Sequence, residues 1–63
     1  MKWIDVKKQL PPNPEALKGY KSYLIEDKSG VSIAIYRGSG EFHDLINRTD
    51  KKNVLFWMPH HDH

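Results

Sequence analysis

Both tryptophans of this chain stand a few positions from an end of the sequence, each inside a short apolar run. One run is Trp3-Ile4-Asp5-Val6, leading to Leu10-Pro11-Pro12, and the other is Val54-Leu55-Phe56-Trp57-Met58-Pro59. In 63 residues the largest side chains have to meet in one place, so the two runs are expected to close the fold on itself. A chain of this length buries only about 60% of the surface it exposes when unfolded. That allows one small core, and residues 1–59 are assigned to a single domain, with 60–63 as a polar, histidine-rich tail.

Cysteine is absent, which excludes disulfides, thiolate metal sites and a cysteine nucleophile. Stability beyond the small core must come from packing, from association with another subunit or from a histidine site, and the expected compartment is a reducing cytoplasm. Ten Lys and Arg against eight Asp and Glu leave a net charge of +2. The basic residues are scattered, which reads as a solvated surface rather than a phosphate-binding stripe. No apolar run approaches the roughly 18 residues that cross a membrane, and no secretory signal pattern opens the chain.

The chain reads as strands joined by turns. Val31, Ile33 and Ile35 alternate with Ser32, Ala34 and Tyr36, the period-two pattern of a central strand with one face buried. Tyr20 to Glu26 is rich in aromatic and β-branched residues, and Asp27-Lys28-Ser29-Gly30 suits a hairpin with Gly30 at positive φ. Gly38-Ser39-Gly40 supplies a second reversal before Glu41 to Leu45. Ile46 to Asn53 reads as a polar loop, and Val54 to Met58 as a last strand with both faces apolar. Asn13, Pro14, Glu15 and Gly19 mark the cap, first position, dipole partner and stop of a helical turn, and a polyproline segment at Pro11-Pro12 is the alternative. The expected class is α+β and β-dominated: a small antiparallel meander of three to five strands with one short N-terminal helical turn.

The order Trp3-Ile4-x-Val6, Leu10-Pro11, the hairpin with Ile33-Ala34-Ile35-Tyr36, and a terminal Trp57-Met58-Pro59 resembles the domain-of-unknown-function family 551. Its members are small proteins of bacteriophages, prophages and the bacteria that carry them. The resemblance spans nearly the whole chain. It departs after Pro59, where His60-His61-Asp62-His63 replaces a leucine and further prolines, and in the segment around Pro14-Glu15-Ala16-Leu17. It implies a phage setting and no catalytic residue.

The histidine cluster offers His60, His61 and His63 as candidate metal ligands, with His43 as a further donor. Adjacent histidines at an end of the sequence lack the rigid spacing of a metal site, so the tail is expected to be solvated and no cofactor is assigned. Glu15, Glu26, Asp27, Glu41, Asp44, His43 and Ser39 are types used in acid–base and nucleophilic work, but no spacing links them into a set. His43 and Asp44 point to opposite faces of a strand. The expectation is a protein that is not an enzyme.

A nucleic-acid module is the alternative reading, with Tyr20, Tyr23, Tyr36 and Phe42 beside Lys18, Lys21 and Arg37 as a stacking face. Against it, Tyr23 and Phe42 suit the core. Protein binding needs the fewest further assumptions, because a small open sheet leaves an edge and an apolar patch for a second copy or for a host or phage protein. Tyr20, Tyr36, Arg37 and Trp57 are the expected partner-binding residues, since aromatic and arginine side chains dominate interface energetics. The function expected is that of a phage-type accessory protein modulating a host enzyme or defence system.

Overall fold

The structure is a computed structural model that describes residues 2–17 and 19–60, the side chains at 16 and 17 excepted. Its strands are β1 (Ile4–Asp5), β2 (Ser22–Asp27), β3 (Gly30–Gly38), β4 (Glu41–Asp44), β5 (Thr49–Lys51) and β6 (Phe56–Pro59), and one helical turn, α1 (Pro14–Leu17), lies between β1 and β2. The sheet is antiparallel throughout, in the order β1-β6-β2-β3-β4-β5. Strands β2 to β5 form a meander, and β6 returns beside β2 with β1 on its outer edge. The two apolar ends therefore meet: Ile4 pairs with Trp57 and Asp5 with Phe56. A four-residue helix adds no second layer, so the fold is an antiparallel sheet rather than an α+β arrangement.

Two tight turns set the registers. Asp27 pairs with Gly30 across Lys28-Ser29, Gly30 takes φ +124°, and the Ser29 amide donates to Asp27 Oδ1 at 2.8 Å. Between β3 and β4 the turn residues Ser39 and Gly40 have φ of +55° and +79°, the type I′ geometry whose twist matches that of the flanking strands. The Gly40 amide donates to the Tyr36 hydroxyl at 3.0 Å, which ties the turn to the core.

The polar stretch after β4 departs from the expected loop, because Thr49–Lys51 pairs with Phe42–Asp44 as a third hairpin. Its organiser is Asp44, which is fully buried. One carboxylate oxygen accepts from the Ser32 hydroxyl at 2.7 Å and from the amides of Ile46 and Asn47 at 2.8 and 3.0 Å, and the other accepts from Asn47 Nδ2 at 2.9 Å. The side chain thus satisfies turn amides that would otherwise lose water without a partner. Burial alone would raise its pKa. The hydrogen bonds from Asn47, Ser32 and Ile46 outweigh that and hold the carboxyl well below its usual range.

One face of the sheet carries the core: Tyr23, Ile25, Ala34, Tyr36, Phe42, Val54 and Trp57, with Ile4 and Val6 packed against it. On β3 the buried side is therefore Ser32-Ala34-Tyr36, while Ile33 and Ile35 are half-buried on the other face and Val31 is exposed. Edge-to-face contact between Tyr23 and Trp57, with centroids 5.3 Å apart, and tilted contact between Tyr36 and Phe42 at 5.0 Å pack the aromatics. The arm after β1 crosses this face: Trp57 Nε1 donates to the Gln9 carbonyl at 2.8 Å, and Pro11 is buried. Farther along, Asn13 and Pro14 lie against Gly38. The sheet also curls around this face. Lys51 on β5 reaches Asp27 on β2 at 2.7 Å, although three strand spacings of about 4.8 Å would separate them if the sheet were flat.

Candidate functional site

The four residues expected to bind a partner divide into two pairs. Trp57 and Tyr36 are core side chains, 3% exposed each, held by the Gln9 carbonyl and the Gly40 amide respectively. A partner that leaves the fold intact cannot reach them, which corrects their placement on the surface. Tyr20, 62% exposed, and Arg37 do come together, lining a cleft of about 250 Å³ with Asn13, Glu15 and Ser39. The stacking face expected for nucleic acid meets the same obstacle, since Tyr23, Tyr36 and Phe42 are buried and only Tyr20 remains outside. Lys18 lies outside the described residues.

The surface that the fold leaves open is the second face of the sheet. Cross-strand pairs share a face, and the registers Leu24↔Met58, Leu24↔Ile33, Glu26↔Val31, Glu26↔Phe56 and Ile35↔His43 place these residues opposite the core. Leu45 joins them, its amide donating to the Ile33 carbonyl at 2.9 Å. Leu24, Ile33, Ile35, Phe56 and Met58 are half-buried by one another, and Val31 and Leu45 are exposed. Because the curl is concave toward the core and the arm, this apolar face is the convex one.

Polar groups frame it. Ser22 Oγ lies 3.2 Å from His60 Nδ1 at one end. Toward the β5 edge His43 Nδ1 lies 2.8 Å from Asp50 Oδ1, with Arg37 Nη1 at 3.5 Å from the same oxygen. The hydrogen bond from His43, then the charge of Arg37, lower the pKa of Asp50. His43 and Asp44 do lie on opposite faces, the first at this rim and the second in the core.

Of the candidate metal ligands, His60 is placed by Ser22, while His61 and His63 lie outside the described residues. Among the described residues no three acidic or histidine side chains gather as a metal-binding group, and no helix is long and apolar enough to cross a membrane. Leu24, Ile33, Ile35, Phe56 and Met58 were not among the expected site residues. The signal for them lies in the last strand, whose two faces both read as apolar: in a sheet of one layer, one of those faces has to be left for something else to cover.

Comparison of the chain with protein-family models, with curated proteins and with solved structures finds no match in any of the three. None of the three supports the expected resemblance to family 551.

Proposed function

We propose that this chain is a non-catalytic binding protein that lays the convex face of its sheet on another protein. One observation carries this reading: the core face is filled and crossed by the chain's own arm, whereas Leu24, Val31, Ile33, Ile35, Leu45, Phe56 and Met58 share a face that no described segment crosses. Contiguous apolar patches framed by polar residues mark interaction sites, and depletion of charge at the centre with charge at the rim is the anatomy of an interface. Here His43, Asp50 and Arg37 form that rim on one side, and Glu26 stands between Phe56 and Val31 in the last row at the other end.

The setting in this reading is a bacterial host, as expected from the order of the apolar runs at the two ends, where occupying a surface of a host enzyme or defence protein is sufficient to alter its activity. A face of this kind serves a protein partner better than a nucleic acid, because Leu24, Ile33, Ile35, Phe56 and Met58 at its centre include no cation to meet phosphates.

The test compares Leu24→Glu and Ile35→Glu with wild type in affinity purification from host cells, alongside Tyr20→Ala/Arg37→Ala. Both open-face variants are expected to stay folded at room temperature, with a lowered melting temperature, and to lose the host protein that wild type retains. Retention of that protein by the open-face variants, with loss only in the Tyr20/Arg37 variant, would move the interface to the cleft. A concentration-dependent doubling of mass for purified wild type, abolished by Ile35→Glu, would make the occupant a second copy.

A further inference from the structure

We propose that a second cleft, at the opposite side of the core, binds a small organic phosphate. Its anionic head would be held by the ammonium groups of Lys7, Lys28 and Lys52, and its apolar body would lie on Val54 and Leu55. The cleft measures about 590 Å³ and lies where the turn after β1, the tip of the β2–β3 hairpin and the β5–β6 connection converge. That is within the range of about 300–1,000 Å³ usual for small-molecule sites. It shares no residue with the open sheet face, so it stands independently of the protein-binding reading.

The walls are fixed before any ligand arrives. The Val6 amide donates to the Leu55 carbonyl at 3.2 Å, and the Leu55 amide donates to the Glu26 carbonyl at 2.9 Å, which clamps the three segments together. Two of the three lysine-bearing segments are held by an aspartate: the Lys7 amide donates to Asp5 Oδ1 at 2.9 Å and the Ser29 amide to Asp27 Oδ1 at 2.8 Å. Ordering of the backbone, a main cost of binding, is thereby already met.

The charge is equally specific. Lys7, Lys28 and Lys52 make no ion pair among the described residues, and Asp27, the one carboxylate in the lining, is engaged by Lys51 at 2.7 Å. Three ammonium groups against one carboxylate already paired with Lys51 leave the lining net positive. Ammonium groups act on phosphate as point charges, whereas planar carboxylate recognition favours arginine. Three of them around one opening suit a dianion. Val54 is buried and Leu55 is 40% exposed, which leaves an apolar wall beside the charges. A polynucleotide would need cations spread along a path and aromatic platforms, and this lining has neither.

The experiment is a titration of the isotope-labelled full chain, read by amide chemical shifts, with phenyl phosphate, inorganic phosphate and a ten-nucleotide oligothymidine as separate probes. Phenyl phosphate is expected to produce saturating shifts confined to residues 6–7, 27–29 and 52–55. Inorganic phosphate should reach the same amides at least about tenfold more weakly, lacking the apolar contact. Lys28→Ala/Lys52→Ala should lower the phenyl phosphate affinity by about tenfold or more while leaving the melting temperature unchanged. Shifts that never saturate, that spread over all the lysines, or that persist unchanged in the double variant would overturn the site. Tighter binding of the oligonucleotide at the same amides would overturn the small-molecule assignment.

Discussion

The ammonium of Lys51 lies 2.7 Å from Asp27 Oδ2, joining an edge strand to a strand three places away in the sheet. The same ammonium lies 3.3 Å from Asp44 Oδ2, so one cation serves two carboxylates whose side chains are 14% and 0% exposed. This contact closes the curl that makes one face concave and leaves the other open among the described residues. Removing Asp44 strands the Ser32 hydroxyl and the Ile46 and Asn47 amides as well as half of the Lys51 pairing. Asp44→Ala is expected to cost about 3 kcal/mol, which is most of the roughly 3–5 kcal/mol that a core of this size supplies. Thermal melts followed by circular dichroism should find it only marginally folded at room temperature, and Lys51→Met folded with a smaller drop in melting temperature.

The same groups set the pH response. Asp44, Asp27 and Asp50 are all held below their usual pKa in the folded state, so their contribution is fully present above the unfolded carboxylate value of about 4 and is lost as pH falls through the folded values. Lys51 is raised by its hydrogen bond to Asp27, and Tyr23 by burial. Their contributions are present below about pH 10 and are lost as pH rises through the folded values. Urea midpoints should form a plateau between these limits and fall at both ends, and Asp44→Asn should flatten the acid limb.

The hairpin at Gly30 is legible in the sequence because its determinants are local: an aspartate that caps the turn and a glycine that accepts positive φ. The phase of β3 is not, since Ile33 and Ile35 alternate with Ala34 and Tyr36 and either side can be buried. What decides it is long-range, the arm that brings the Gln9 carbonyl to Trp57 across 48 positions. The third hairpin is hidden for a similar reason. Thr49–Lys51 has no apolar pattern of its own and depends on the buried Asp44, which looks like a surface residue until Ser32 and Asn47 are placed beside it. Tyr36 and Trp57 illustrate the converse, aromatic side chains that suit an interface yet are needed by a core this small.

Turn chemistry at Ser39-Gly40 offers a stabilising variant. Ser39 holds φ +55°, a region asparagine tolerates better than serine, and Asn-Gly is the preferred pair for this turn. Ser39→Asn is expected to raise stability by about 0.5 kcal/mol, and Gly40→Ala, at φ +79°, to lower it by about 1 kcal/mol. Thermal melts followed at 220 nm measure both.

The two tryptophans should behave oppositely. Trp57 is buried and Trp3 is 36% exposed, so Trp57→Phe, which removes the donor to Gln9, is expected to cost about 1–2 kcal/mol. Trp3→Phe should cost under about 0.5 kcal/mol. Emission from the Trp3→Phe variant, reporting Trp57 alone, should be blue-shifted and resistant to acrylamide.

The open face is tested most directly by a photo-crosslinking amino acid placed in host cells at Ile35 on that face and, separately, at Leu10 on the arm across the core. A discrete adduct with one host protein from position 35 and none from position 10 is the expected result. An adduct from position 10 alone, or only a self-adduct from position 35, would contradict docking of this face on a host protein.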